Sequence, residues 1–304
     1  MIPSRPFAQI DVFSSMPGYG NPVAVVLDGS GLDEAAMQRF ARWTNLSETT
    51  FVLPPSDPAA DYALRIFTPG GELPFAGHPT LGSCFAWLAA GGQAKSSEQV
   101  VQECAKGLVR IRRDGGRLAF AAPPSHRSEP SPATLASVVK ALGIEAGQVL
   151  RAQLLDNGPV WLGLQLDSAD TVLVLEPDQA QLSALGCKVG VLGTYPSEAA
   201  MPLISRSSRE ARAFVGAAVR GETPLVEVRA FAAPIGVAED PVTGSLNASL
   251  AQWLIDAGEV PTSYVASQGT VLGREGRVHV HRDANGQVWV GGHCVRCIVG
   301  TAEI

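Results

Sequence analysis

Alternation of apolar and polar positions is the clearest signal near the start of the chain. "AQIDVF" from Ala8 alternates with period two, and "GNPVAVVLDG", "TTFVLPP" and "YALRIFTPG" supply three more extended runs. Period two puts successive side chains on opposite faces of a strand. Between them "LDEAAMQRFARWTN", Leu32 to Asn45, spaces its apolar residues three and four apart, as an amphipathic helix does. "TLGSCFAWLAAGG" from Thr80 predicts a second helix closed by glycines. Further along, "ATLASVVKALGI" predicts a helix, and "VWLGLQL" and "TVLVLEP" predict strands.

The order of these elements repeats. Arg65, Phe67 and Pro69 lead into "AGHPTLGS" and then Trp87, whereas Arg229, Phe231 and Pro234 lead into "DPVTGS" and then Trp253. The Phe-to-Trp separations are 20 and 22 residues, and a shared order of strand, glycine loop and helix argues for a duplicated unit. Between the copies, "APPSHRSEPSPA" from Ala122 to Ala133 carries Pro123, Pro124, Pro130 and Pro132 and is the best linker candidate. Two α+β halves are expected. Residues 1–122 carry Glu48 and the Gly77-His78 loop, residues 133–304 carry the Asp240–Ser245 loop, and the last strand is a candidate to pack back on the first half.

Composition narrows the partners. With 304 residues and 46% hydrophobic content the chain can bury one or two substantial cores. Charged residues are 17% and the net charge is −6, so no sustained basic surface invites nucleic acid or an anionic membrane. A small-molecule partner is expected. The chain has no apolar run of about 18 residues and "MIPSRPFAQIDVF" lacks the core of a signal peptide, which predicts a cytoplasmic protein. The five cysteines are scattered, unlike a secreted disulfide framework. Cys294 and Cys297 form C-x-x-C on what reads as a terminal strand, where they face opposite ways; without a second such pair they are expected to be structural thiols. His279 and His281 share one face of a strand but have no acidic or thiol partner beside them, so no metal is expected.

The two glycine loops carry the candidate chemistry. In each, a strand ends, a loop turns, and a helix begins with Pro79 or Ser245 near its first turn. Glycine lets backbone approach a ligand, and N–H groups at a helix start favour an anion. Two such ends facing one cleft would hold a carboxylate. Gly77 and Gly82 have the glycine spacing of a phosphate loop, but Ser83 and Cys84 stand where its lysine and hydroxyl residue belong, which argues against a nucleotide. "GYGN" at Gly18 lacks the third glycine of a dinucleotide fingerprint. Glu48, His78 and Asp240 are the candidate acid and base groups, with Ser245 beside them. A half-buried carboxyl at a helix-to-strand junction suits proton transfer near neutral pH. Each has a plainer alternative: a surface glutamate, a turn-stabilising histidine, a helix-capping aspartate or serine.

"DVFSSMPGYGNPVAVV", "NLSETTFV", "RIFTPGGELPFAGHPTLG" and "EDPVTGS" together resemble the PhzF-like family, named for the isomerase of phenazine biosynthesis, in family order from Asp11 to Ser245. The resemblance implies a diaminopimelate epimerase-like α+β fold. Its two pseudo-symmetric halves are each a curved, mostly antiparallel sheet or open barrel around a central helix, with the site in the cleft between them. Epimerases of that fold carry a cysteine at each glycine loop. Here the matching stretches read Ala76-Gly77 and Asp240-Pro241, and Cys84 lies about two helical turns too late, so two-thiol racemisation is not expected.

By the same resemblance, the acid/base and assisting roles fall on Glu48, His78, Asp240 and Ser245, carboxylate binding on the N–H groups of Gly77 and Gly244, and a substrate contact on Asn21. The implied activity is that of a cofactor-independent isomerase moving a proton within a small carboxylate-bearing substrate, similar to trans-2,3-dihydro-3-hydroxyanthranilate isomerase. No metal or cofactor is called for, and a homodimer is the implied assembly. Two rivals stand beside it: an epimerase-like enzyme using Glu48 and Asp240 as opposed bases, and a non-catalytic carboxylate-binding protein.

Overall fold

A computed structural model describes residues 3–196 and 223–304. The first run of elements is β1 (Ser4–Val12), β2 (Asn21–Val26), α1 (Glu34–Thr44), β3 (Thr49–Leu53), β4 (Tyr62–Thr68), β5 (Gly71–Leu73), α2 (Gly77–Ala89), β6 (Gln99–Cys104), β7 (Gly107–Asp114) and β8 (Arg117–Ala121). The second begins with β9 (His126–Ser128), α3 (Pro132–Leu142), β10 (Val149–Asp156), β11 (Val160–Leu166), α4 (Ala169–Leu173), α5 (Gln179–Leu185) and β12 (Lys188–Thr194). It closes with β13 (Val226–Ala232), β14 (Val237–Asp240), α6 (Gly244–Asp256), β15 (Ser263–Gln268), β16 (Gly276–Arg282), β17 (Val288–Gly292) and β18 (Cys294–Glu303).

The strands form one mixed, open sheet. Parallel pairs β2–β3 and β4–β6 recur as β11–β12 and β13–β15, and antiparallel pairing of β8 with β17 joins the two runs. At the outer edges β18 returns to β1, while β9 pairs with β10. Repetition extends to side chains. Arg65 holds Glu72 across β4–β5 with its guanidinium 5.0 Å from the Phe67 ring, and Arg229 holds Glu239 across β13–β14 at the same 5.0 Å from Phe231.

Local chemistry accounts for the outer helices. Asp33 accepts from Ala36 N at 2.7 Å to start α1, which ends on Asn45 in the left-handed region. Ser131 caps α3, with Pro132 in its first turn and Gly143 at its end. α2 and α6 are of another kind: they are buried on almost every side, as helices inside a curved sheet must be. α2 touches β1, β2, β3, β4, β6, β8 and β18, and α6 lies against β10, β11, β16 and β17. The largest core is continuous through both runs, from Ile10 and Leu81 to Leu246 and Val290.

Two sequence expectations change. "TVLVLEP" is not a strand: Thr171–Leu173 end helix α4 and Val174–Pro177 are irregular. Ser168 caps α4 by accepting from Thr171 N, and the buried Arg229 guanidinium donates to Val172 O and Leu175 O, so tertiary partners satisfy the helix end despite its β-branched residues. The proline-rich linker is not wholly irregular, because its residues His126–Ser128 are β9.

The starts of α2 and α6 meet over Phe120. A Cβ built on Gly77 would lie 2.7 Å from the Phe120 ring and 3.5 Å from the Gly244 Cα. The α2 start leaves no room for a side chain, and a Cβ on Gly244 would just touch the same ring at 3.4 Å. Gly77→Ala is therefore expected to cost about 1–3 kcal/mol in chemical denaturation, with part recovered in Gly77→Ala/Phe120→Leu. An unchanged denaturation midpoint for the single variant would contradict this close approach.

Candidate active site

Glu48 immediately precedes β3, placed there by the abrupt end of α1 at Asn45 and by Ala24 N donating to the Glu48 carbonyl at 3.3 Å. His78 is in the first turn of α2. Glu48 Oε2 and His78 Nε2 are 3.4 Å apart, with the two side chains 15% and 6% exposed, and neither atom has a conventional hydrogen-bond partner among the described residues. Burial pushes the Glu48 carboxyl up from 4.5 to about 7. It pulls the His78 imidazole down from 6.5 to about 4, against the attraction of Asp240 and a hydrogen bond to the Pro22 backbone. Near neutral pH, then, a neutral imidazole faces a carboxyl close to its midpoint.

Asp240 ends β14 and is more fully engaged. Asn21 Nδ2 donates to its Oδ1 at 2.9 Å, and Thr243 Oγ1 donates to its Oδ2 at 2.6 Å. Burial raises its carboxyl to about 6; His78 opposes that rise and Glu48 adds to it, which puts the three groups in electrostatic reach of one another. The loop behind it is held by amides. Gln268 Nε2 donates to Asp240 O and Thr243 Oγ1, while Gln268 Oε1 accepts from Thr243 N and Asn247 Nδ2. Asn21 also donates to Val242 O at 2.9 Å. Both hydrogens of its amide thus bind the second half of the chain to the first.

The starts of α2 and α6 have no side-chain cap, so Gly77 and Gly244 sit where helix N–H groups remain open to an anion. Ser245, one residue into α6 as His78 is into α2, accepts from Trp161 Nε1 at 3.2 Å through its Oγ, and its carbonyl accepts from Asn157 Nδ2 at 2.8 Å. Glu48, His78 and Asp240 are therefore brought together, while Ser245, in the adjoining helix start, has its Oγ on Trp161. Trp161, Asn157, Thr243 and Gln268 were not singled out in the sequence. "NGP" at Asn157, an inexact echo of "GNP" at Gly20, was the available signal for one of them. Cys294 and Cys297 are free thiols on β18.

Two adjoining uncapped helix starts, beside a buried carboxyl that faces a neutral imidazole, are groups suited to acid/base chemistry on a fold of the epimerase-like class. The family described as Phenazine biosynthesis-like protein matches residues 10–300, and the chain belongs to that family. It is 38% identical to Antisense-enhancing sequence 1 of Schizosaccharomyces pombe, over 98% of each chain. It is 33% identical to trans-2,3-dihydro-3-hydroxyanthranilate isomerase of Pseudomonas fluorescens, over 87% of this chain and 86% of that one. Among solved structures it is similar to a Bacillus anthracis phenazine biosynthesis protein of the PhzF family, with TM-score 0.80, 21% identity and full coverage of both chains. In fold it is also similar to a hydroxyproline epimerase from Agrobacterium vitis, with TM-score 0.59, 13% identity, and 99% and 93% coverage. The chain is an isomerase of the PhzF family, and among the described residues no helix is long and apolar enough to cross a membrane.

A carboxyl whose folded-state value lies above its unfolded value holds its proton more tightly when folded. Its contribution to stability is present below about 4.5 and is lost as pH rises to about 7. Glu48→Gln, which cannot ionise, is expected to be more stable than the wild type at pH 8 by up to about 3 kcal/mol, with the advantage vanishing near pH 4. Thermal melts at the two pH values measure this; equal stability at pH 8 would count against an ionised, desolvated Glu48.

Proposed function

We propose that Glu48 is the single group that both removes and returns the migrating proton. The supporting observation is that the Glu48 Oε2 and His78 Nε2 atoms face each other without other partners, whereas both carboxyl oxygens of Asp240 are occupied. Ionised Glu48 takes a proton from a carbon next to an unsaturated or carbonyl system. The electron pair left on carbon delocalises into that system, and the N–H groups at Gly77 and Gly244 stabilise the resulting anion. Protonated Glu48 then delivers the proton to another carbon on the same face, and the double bond moves with it. Atoms and electrons balance without a cofactor. His78, kept neutral, hydrogen-bonds to the substrate or to the Glu48 carboxyl; Asp240, Asn21 and Ser245 orient the substrate and the helix starts.

The substrate is a small carboxylate, and the isomerase named at 33% identity makes trans-2,3-dihydro-3-hydroxyanthranilate the first compound to try. The occupied oxygens of Asp240 weigh against the epimerase reading, which needs a second free base. In this reading residues 1–122 and 133–304 are the two halves of a cytoplasmic homodimeric enzyme, with the last strand, Cys294–Glu303, belonging in space to the first half.

The test follows the proton by NMR in deuterated water with that compound. Wild-type protein is expected to shift its double bond and take up deuterium at the receiving carbon, and Glu48→Gln to slow both by about 10²–10⁴-fold. Full turnover by Glu48→Gln would remove the mechanism. Inversion at the α-carbon of an amino acid would favour the epimerase, and binding without exchange the ligand-binding protein.

A further inference from the structure

The internal repeat assigns Glu48 a counterpart. In the first half Thr49 lies opposite Ala24 on β2 and opposite Phe67 on β4. In the second, Val189 lies opposite Leu162 on β11 and opposite Phe231 on β13. Because Phe67 and Phe231 each sit under the arginine two residues before them, Thr49 and Val189 occupy the same place in the two halves. The residue before each is therefore also equivalent: Glu48 in one half, Lys188 in the other.

Side-chain direction agrees. Two residues beyond Glu48, Thr50 Oγ1 meets Ser83 Oγ of α2 at 2.8 Å. Two residues beyond Lys188, a Cβ on Gly190 would lie 2.2 Å from Leu246 of α6. Residues two apart on a strand share a face, so Glu48 and Lys188 both project on the side of their central helix. Lys188 pairs in register with Trp161, and its Nζ lies 5.3 Å from the Trp161 ring centroid. That indole in turn donates to Ser245 Oγ.

Lys188 is half-buried, which lowers its pKa, yet no carboxylate among the described residues pairs with it. Arg229, by contrast, is fully held by Glu239 and two carbonyls. A partly desolvated cation without a counter-ion calls for an anion.

We propose that Lys188 is a substrate-binding residue that contacts the carboxylate of the substrate beside Ser245, across the cleft from Glu48. The duplicated scaffold then presents a proton-moving wall, Glu48 with His78, and an anion-holding wall, Lys188 with Ser245. Since Ser245 Oγ already accepts from Trp161, its own hydrogen is free to donate to the same carboxylate. This rests on the reading of the cleft as the active site, but its test needs no turnover.

The probes are anthranilate and its uncharged amide, anthranilamide, measured by titration calorimetry at low salt. Wild-type protein is expected to prefer the acid, and Lys188→Met to bind it about tenfold more weakly or worse while binding the amide unchanged, which also reports an intact cleft. Lys188→Arg keeps the charge and is expected to keep the preference. Equal anthranilate affinity in wild type and Lys188→Met, or a wild type that does not prefer the acid, overturns the proposal. Preference for the acid without deuterium transfer to any substrate would remove the isomerase reading and leave Lys188 in place; deuterium transfer with Lys188→Met binding anthranilate normally would do the reverse.

Discussion

The structure depends on the contact between two helix starts. Gly77 and Gly244 approach each other so closely over Phe120 that a side chain at Gly77 would collide with the Phe120 ring, and both glycines are buried. Once the starts of α2 and α6 are buried, every polar group near them must be neutral, paired, or left in want of a ligand. Asp240 is paired, through Asn21 and Thr243. His78 is held neutral. Glu48 is the exception, its Oε2 meeting only His78 Nε2 and its carboxyl near 7, the kind of perturbed group that marks a candidate functional site.

Duplication explains how one scaffold reaches this state. Both halves deliver a strand, a glycine start and a buried helix with the same register, down to the arginine stacked on a phenylalanine. What differs is the side chain at equivalent points, Glu48 against Lys188 and His78 against Ser245. The backbone repeats, and the side chains at these equivalent points do not. Asn21 ties the two runs of elements together by donating to Val242 O, and Arg274 adds to this by donating to Gly18 O at 2.7 Å.

Much of this was legible along the chain. The two glycine loops, the Arg-Phe pairs and the helix ends at Asn45 and Gly143 are set by local chemistry, and local chemistry can be read from residues. "TVLVLEP" misled because its strand-like composition is overridden by Arg229, more than fifty residues away, which binds the carbonyls of Val172 in α4 and Leu175 just beyond it. His126–Ser128 carries no strand signal of its own; β10 supplies its partner. Trp161 reads as an ordinary core tryptophan until its register beside Lys188 and its bond to Ser245 are seen. Contacts between distant segments leave no local pattern, and the Lys188, Trp161 and Ser245 cluster is made of them.

Direct titration of Glu48 tests the central claim most plainly. With glutamate labelled at the side-chain carboxyl carbon, the resonance assigned by its loss in Glu48→Gln is expected to titrate with a midpoint near 7, well apart from the exposed glutamates near 4.5. A midpoint in the ordinary carboxylate range would mean that Glu48 is solvated and fully charged at neutral pH, and the account of a single buried acid/base group would fail.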